Sequence, residues 1–217
     1  MLIFDGCDTC PFRRNATRQV KNLLRIALFQ VAYIRNLFPS SYFQERKVFD
    51  DLCVKVLTPK NDVSRRVVDW MEKGVSEALF KSYLKCLRVS ITNDESGQNL
   101  IEEYVFSFAY EADGAIRMQI LDSINRAPVN PSTTDMKQLK AQVSKMTRLL
   151  VALMTSFDAL PETKYVFFHL EYYEKRTPKA YEPPFFQPAA NLPRFHAKPF
   201  SMCLGAAQTK DVIIGIK

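Results

Sequence analysis

The sequence predicts an α+β domain in which three helices pack on one face of a small, mainly antiparallel sheet, followed by a C-terminal strap and hairpin. Apolar residues recur at helical spacing between about residues 15 and 38. The segment 101–110, IEEYVFSFAY, alternates with the period of two that is typical of a strand. Residues 176–195 contain five prolines, which exclude a helix or a central strand because proline fixes φ and lacks the backbone N–H.

The first helix is predicted from about Asn15 to Phe38, with Pro39 ending it because proline disfavours helix in the preceding residue. A main apolar stripe and a second one indicate burial on more than one side. The main stripe comprises Val20, Leu23, Leu24, Ala27, Val31 and Ile34, and the second comprises Ile26, Phe29 and Tyr33. A less regular stretch is expected to continue to about Asp62.

A second helix is predicted to begin at a cap, Asp62 or Ser64, and to continue to about Lys81, with Trp70 in the core. Its apolar face is formed by Val67, Val68, Met71, Val75, Ala78 and Leu79. Strands are then expected at 84–91, 101–110 and 116–121. The middle one presents an aromatic face, which is typical of a core: Tyr104, Phe106, Phe108 and Tyr110.

A third helix, capped at Thr133 or Thr134, is expected to precede a final strand at 165–173. The buried stripe of this helix would be Leu139, Val143, Met146, Leu150, Leu153 and Phe157. The final strand should form an edge of the sheet, where unpaired backbone groups need a cover. The expected cover is the proline-rich strap, residues 176–195, which could be either a static Ω-like loop or a strap that opens around a peptide.

Composition indicates one soluble, unsecreted domain. The 217 residues are 47% hydrophobic, without an apolar run of membrane-spanning length or a signal peptide at Met1–Cys10. No membrane partner is therefore expected. Five irregularly spaced cysteines are an odd number, which favours reduced thiols in the cytosol or nucleus.

A metal site or a catalytic centre is the first alternative to a binding module. Cys7 and Cys10 form a single CxxC, which His196 and Cys203 could complete as a zinc site, although a disordered leader is the favoured interpretation. No catalytic signature is present, and a nucleophile built from Cys203 and His196 is the only enzymatic alternative. We therefore expect no metal, cofactor, small-molecule substrate or enzymatic activity.

Direct DNA binding is the second alternative, because the net charge is +7. Basic residues crowd the amino end, namely Arg13, Arg14, Arg18, Lys21 and Arg25. No recognised nucleic-acid motif accompanies them, so a solvated helix face is the favoured explanation.

Four segments together resemble the HORMA domain, and most closely its meiotic chromosome-axis branch, particularly the asynaptic-type proteins of plants. They are YIRNLFPSSYF at 33–43, DWMEKGVSEAL at 69–79, IEEYVFSFAY at 101–110 and YYEKRTPKAYEPPFF at 172–186. The residues that match the family pattern are Arg35, Phe38, Pro39, Phe43, Trp70, Glu102, Tyr104 and Phe106. DWMEKG and YEPPFF favour the meiotic branch over the spindle-checkpoint and polymerase-adaptor branches, which remain alternatives.

The resemblance implies a peptide-binding module with a leader at 1–14 and a HORMA domain at 15–217. The core at 15–173 would present the edge strand, and a "safety belt", residues 174–217, would wrap over a partner peptide called the closure motif. The edge residues implied are Val166, Phe168, Leu170 and Tyr172. The belt residues implied are Tyr181, Pro183, Pro184, Phe185, Phe186, Phe200, Val212 and Ile214, with Phe185 and Phe186 expected as buried aromatic anchors.

The resemblance also implies partners and a location. Closure-motif peptides of axis proteins or related HORMA proteins would be bound, and a hexameric AAA+ ATPase would open the belt by engaging residues 1–14. Chromatin association is expected to be indirect, on meiotic chromosomes in the nucleus. The leader lacks the family's polar start, and the chain ends directly after the belt hairpin, so an isolated or truncated domain without its own closure motif is expected.

Overall fold

The computed structural model describes residues 11–49, 52–110, 116–119, 144, 147–148, 151–152, 154–189, 192–195, 206–208 and 213–215. Side chains are described there except at 11–16, 48–49, 52 and the three short strands 116–119, 206–208 and 213–215. Several residues discussed above lie outside the described part: Cys7, Cys10, Thr133, Thr134, His196, Phe200, Cys203 and Val212.

Helix α1 (Pro11–Ile34) begins four residues before the predicted start at Asn15, so residues 11–14 of the expected flexible leader are helical. It is buried on several sides, as its two apolar stripes predict. It ends before Pro39, at a left-handed Asn36 with φ of 51°. The Leu37 N–H donates to the Ala32 carbonyl at 2.9 Å and the Asn36 N–H to the Tyr33 carbonyl at 3.1 Å, which is a Schellman-type ending. The predicted end at Phe38 was therefore wrong, because asparagine tolerates the left-handed conformation that stops the helix first.

A β-hairpin follows where a less regular stretch was expected. Strands β1 (Phe43–Phe49) and β2 (Leu52–Leu57) pair antiparallel as a separate two-stranded sheet. Val54 and Leu57 of β2 are buried in apolar clusters that include residues of α1, and the partly buried Phe43 of β1 packs against the same core. The polar run Gln44 to Lys47 of β1 is exposed, so alternation was too weak there to predict a strand.

The second helical segment runs from Asp62 to Phe80 but is not uniform. It comprises α2 (Asp62–Asp69), a π-helical stretch (Trp70–Val75) and α3 (Ser76–Phe80). Its cap is Asn61, in place of the predicted Asp62 or Ser64. The Ser64 N–H donates to Asn61 Oδ1 at 2.9 Å and the Asn61 N–H to Ser64 Oγ at 3.0 Å, so both form a capping box.

The main sheet has the order β5-β4-β3-β6 and is antiparallel throughout. Its strands are β3 (Leu84–Thr92), β4 (Leu100–Tyr110), β5 (Ile116–Gln119) and β6 (Tyr165–Tyr172). Tyr104, Phe106 and Phe108 are buried on the core face, as predicted. Strand β6 lies at one edge, as expected from its position in the chain.

The terminal hairpin, β7 (Ala206–Gln208) and β8 (Ile213–Gly215), is also present as predicted. It lies against β5 and β4, at the side of the sheet opposite to β6. The hairpin therefore leaves β6 unoccupied within the described residues.

Helical residues are also described between 144 and 155, in the region of the predicted third helix. Ser144, Thr147 and Met154 are buried there. Of the predicted stripe, only Phe157 is described, and it lies after the helical residues with 39% of its surface exposed. Its ring instead faces the Arg35 guanidinium at 5.7 Å, so it was wrongly assigned to the buried stripe.

Among the described helices, none combines the length and apolar character needed to span a bilayer. Within the same residues, no cluster of histidine, cysteine and carboxylate side chains is arranged to hold a metal ion.

Candidate functional site

The free edge of β6 is the most conspicuous unpaired backbone among the described residues. One side of β6 pairs with β3 in a regular register, with Phe168 opposite Val89 and Leu170 opposite Leu87. No strand in the described part of the chain pairs with its other side. Unpaired N–H and C=O groups in such a row are a template for another strand.

The two faces of β6 differ in chemistry. Val166, Phe168, Leu170 and Tyr172, the four predicted edge residues, pack toward the hydrophobic core. On the opposite face of β6, His169 lies opposite Arg88 of β3. A strand added to β6 would therefore place alternate side chains beside an apolar face and a polar face.

The polar face holds an ion-pair network. Arg88 donates to Glu171 at 2.7 Å and to Glu103 at 3.0 Å, linking β3 to both neighbouring strands. Nδ1 of His169 is buried and has no hydrogen-bond partner among the described residues. Burial, and then the positive charge of Arg88, lower the pKa of His169, so its imidazole is neutral at physiological pH.

The chain is fixed where it leaves β6. The Tyr173 N–H donates to the Tyr83 carbonyl at 2.9 Å, and the Tyr173 hydroxyl donates to the Phe108 carbonyl at 2.7 Å. The Arg176 guanidinium lies 5.8 Å from the centroids of the Tyr110 and Tyr173 rings. These contacts attach the start of the belt to β4 and to the residue that precedes β3.

Tyr181 is the first aromatic residue of the strap, and it packs against the end of β6. Its ring lies edge-on to Tyr83 at 4.9 Å and to Tyr172 at 5.5 Å. Its hydroxyl donates to Glu77 at 3.3 Å, and the Lys81 ammonium lies 4.9 Å from the ring centroid. Burial and the nearby Glu77 charge raise the pKa of Tyr181, so the phenol stays protonated and able to donate.

The strap next packs on the π-helical stretch. The Trp70 ring lies 5.4 Å from Phe168 of β6 and 6.4 Å from Phe186 of the strap. A Cβ atom added to Gly74 would lie 2.6 Å from both Phe186 Cδ2 and the Pro184 carbonyl oxygen. Only glycine at position 74 therefore permits this close approach between helix and strap.

Phe185 does not act as a buried anchor, contrary to expectation. It is 54% exposed, has a φ of 69°, and lies beneath the Lys73 ammonium, 5.0 Å from its ring centroid. The left-handed backbone at Phe185 turns its neighbour Phe186 inward instead. Pro183 is buried and Pro184 is exposed.

The far end of the strap is held at the opposite end of the sheet. The Arg194 N–H donates to the Gln98 carbonyl at 3.4 Å, and the Leu100 N–H donates to the Arg194 carbonyl at 3.2 Å. Leu100 pairs with Thr92 of β3, and Thr92 in turn pairs with Tyr165 at the start of β6. The strap therefore runs from one end of β6 to the other, passing Trp70 and Phe168 on the way.

Three of the family-pattern residues, Arg35, Glu102 and Tyr104, form a largely buried network away from the strap. Arg35 donates to Glu102 at 3.0 and 2.5 Å, to the Asp158 carbonyl at 2.7 Å and to the Met154 carbonyl at 3.3 Å. The Tyr104 hydroxyl donates to Glu102 at 2.8 Å. Burial and the Glu102 charge raise the pKa of Tyr104. This network joins α1, β4 and the chain that leads into β6.

Phe38 and Phe43, two aromatic members of that pattern, pack around the start of the β1–β2 hairpin. Phe38 stacks on Tyr42 with centroids 6.4 Å apart, and Phe43 meets Tyr33 edge-on at 5.2 Å. Pro39 is exposed between them.

Several residues of the site were missed by sequence reasoning. Gly74 carried a usable signal, since a glycine inside a helical pattern is unfavourable unless a close contact requires it. Glu77 and Lys81 contact Tyr181, but their spacing in the sequence indicates only an ordinary i,i+4 ion pair on a helix. The loop that receives Arg194 had no signal beyond its turn composition.

Residues 17–211 match the family model described as the HORMA domain. This chain belongs to the HORMA domain family. The resemblance based on the four sequence segments is thus confirmed, and so is the α+β fold class.

Of the two curated relatives compared, one is named for meiosis and the other for its HORMA domain. The chain is 38% identical over 209 residues to the "Meiosis-specific protein ASY1" of Arabidopsis thaliana, covering 91% of this chain and 35% of that protein. It is 33% identical over 171 residues to "HORMA domain-containing protein 1" of Rattus norvegicus, covering 77% of this chain and 42% of that protein. The chain thus spans well under half the length of these relatives.

Solved structures share the fold. "C. elegans HTP-2 bound to HTP-3 closure motif 1" matches with a TM-score of 0.80 at 16% identity, covering 94% of this chain and 85% of that chain. "C. elegans HTP-1 bound to HIM-3 closure motif" matches with a TM-score of 0.79 at 19% identity, covering 94% and 89%. A chain of the "Mitotic Checkpoint Complex" matches less well, with a TM-score of 0.64 at 14% identity, covering 93% and 95%.

Proposed function

We propose that this HORMA domain is the peptide-binding module of a meiotic chromosome-axis protein, which captures closure motifs as an added strand on β6 beneath the belt. The observation that carries the proposal is the free β6 edge, along which the strap runs from Tyr173 to Arg194. A relative named for meiosis, and solved structures of the same fold bound to closure motifs, support it.

Strand addition suits the chemistry of this edge. Backbone hydrogen bonds give sequence-independent affinity, about 0.5–1.5 kcal/mol each after exchange with water. Alternate side chains of the peptide would lie beside the apolar face that includes Phe168 and Trp70, which supplies selectivity. Capture of this kind would support axis assembly, synapsis and recombination on meiotic chromosomes in the nucleus.

The position of the terminal hairpin is compatible with peptide entry at β6. Strands β7 and β8 lie against β5, at the opposite side of the sheet. A hairpin placed there does not compete with the peptide for the free edge. We infer that this arrangement is the one that retains a peptide.

Further partners follow from the same proposal. A hexameric AAA+ ATPase would release peptides by engaging residues 1–14 and loosening the belt, and chromatin association would be indirect, through captured axis proteins. No catalytic role is proposed.

Direct DNA binding by α1 has less support than peptide capture. Lys21 lies 2.7 Å and Arg25 lies 3.3 Å from Glu72 of the π-helical stretch. Two of the basic side chains that suggested a DNA surface are thus paired within the protein.

Binding kinetics test the proposal. Peptides selected on this chain from a random display library of about 20-residue segments would be labelled and mixed by stopped flow. Because the strap must detach and close again, we expect association below the usual 10⁵–10⁷ M⁻¹s⁻¹. The observed rate should saturate with peptide concentration, and dissociation should take many minutes.

A rate that rises linearly into the diffusion-steered range, with loss of the peptide within a second, would show that residues 174–217 are a static cover. Failure to select any peptide would likewise indicate that residues 174–217 are a static cover. Hydrogen exchange should also show new protection in β6 on binding, since its outer amides would gain partners.

Adjacent phenylalanines in the strap provide a matched pair of variants. Phe186→Ala removes the ring that packs on Trp70 and over Gly74, whereas Phe185→Ala removes an exposed ring. We expect Phe186→Ala to cost about 2–3 kcal/mol of strap docking and to speed peptide dissociation at least tenfold. Phe185→Ala should change the dissociation rate less than threefold. Equal effects of the two variants would contradict anchoring by Phe186.

A further inference from the structure

The loop between β3 and β4, residues 93–99, is organised by a single carboxylate. Asp94 accepts the Gln98 N–H at 3.0 Å and the Asn99 N–H at 2.7 Å, and also accepts the Ser96 hydroxyl. These hydrogen bonds, led by the one from Ser96, lower the pKa of Asp94 to about 2. The carboxylate is therefore charged, and the loop held, throughout the physiological pH range.

The segment held by Asp94 is the one that receives the strap. The carbonyl of Gln98 accepts the Arg194 N–H, and the N–H of Leu100 donates to the Arg194 carbonyl. Asn99, whose amide Asp94 fixes, lies directly opposite Arg194 in a parallel bridge. Asp94 thus sets the orientation of the backbone groups that meet the strap.

The same loop also contacts the start of β6. Gly97 has a φ of 72°, and the Phe167 ring of β6 lies 3.1 Å from the position that a Cβ would occupy. A change in the conformation of this loop would therefore alter its contacts both with the strap and with the amino end of β6.

The attachments of the strap are unequal. Its near end is held by the aromatic rings and hydroxyls of Tyr173 and Tyr181, and its middle by Phe186. Its described far end is held by two backbone hydrogen bonds, while Leu192 and Arg194 are exposed. Opening from the far end therefore breaks the fewest contacts among the described residues.

We propose that Asp94 is a positioning residue that holds a preformed docking strip, residues 98–100, for the far end of the strap, and so sets how long a captured peptide is retained. The retention part of this inference rests on the proposed function. Without Asp94 the loop would have to be ordered each time the strap closes, which costs backbone entropy.

Three variants separate this role from general stability. Asp94→Ala removes all three acceptor contacts, Asp94→Asn retains one acceptor oxygen, and Glu95→Ala removes a neighbouring exposed charge of the same sign. Hydrogen exchange of the peptide-free protein would report on residues 192–195 and, as an internal reference, on β3. Dissociation of library-selected peptides would be measured on the same variants.

For Asp94→Ala we expect exchange at 192–195 and peptide dissociation to become about tenfold faster, with β3 protection unchanged. Asp94→Asn should be intermediate, and Glu95→Ala should match the unaltered chain. Unchanged exchange at 192–195, an equal effect of Glu95→Ala, or an equal loss of protection in β3 would each overturn the proposal. Because exchange at 192–195 is measured without peptide, failure to bind any peptide would count against the proposed function alone.

Discussion

Replacement of Arg35 by leucine is expected to lower the free energy of unfolding by about 3–5 kcal/mol. The Arg35 side chain is almost fully buried and is bonded to Glu102. Leucine would leave that carboxylate without its cation, and would remove the donor to the carbonyls of Met154 and Asp158. Urea unfolding followed by circular dichroism would measure the loss.

Two further variants identify the cause. Arg46→Leu changes an exposed arginine of β1 and should alter stability by no more than about 0.5 kcal/mol. Combining Arg35→Leu with Glu102→Leu removes the orphaned charge and should recover part of the loss, because both partners are then apolar. If Arg35→Leu destabilised the chain no more than Arg46→Leu, the network would not hold α1 to β4.

Gly74→Ala is expected to speed the dissociation of captured peptides by about 10- to 100-fold, from an overpacking cost of about 1–3 kcal/mol. The added Cβ would meet the Phe186 ring and the Pro184 carbonyl, so the strap has to move away. The helix itself should not weaken, since alanine is favoured over glycine there by about 0.5–1 kcal/mol. Gly74→Ala should thus raise the dissociation rate of the peptide without lowering the midpoint of unfolding.

A second substitution checks the steric explanation. Phe186→Ala in the Gly74→Ala background removes one of the two clashing groups, so the two effects should be less than additive. Full additivity would mean that Gly74 and Phe186 act independently. An unaltered dissociation rate for Gly74→Ala would show that the strap contact at position 74 does not retain the peptide.

Elements with strong local periodicity were predictable from the sequence. Strand β4 has an aromatic residue at every second position from Tyr104 to Tyr110, and the helical segment 62–80 repeats apolar residues on one face. The edge position of β6 followed from chain order. These predictions depend on patterns among residues that are close together in the chain or on the order of the elements, and both are visible in a single sequence.

Features governed by a single residue's backbone or by distant contacts were not predictable. Asn36 ends α1 by adopting a left-handed conformation. The exposed polar run in β1 lacks the apolar alternation by which a strand is predicted. The exposure of Phe185 and the partial burial of Phe186 depend on one positive φ in the strap. Asp94 and Arg194 are a hundred positions apart in the chain, so no local pattern could link their segments.

The attachment of the strap at both ends of one sheet has a mechanical consequence. A strand held only by an edge can be peeled away, breaking its hydrogen bonds one after another. A peptide enclosed between β6 and a strap tied at Tyr173 and at Arg194 would instead transmit tension to both ties at once. Such a joint would resist pulling along the peptide yet open readily when the far end is lifted, a useful property for linking chains that are under strain.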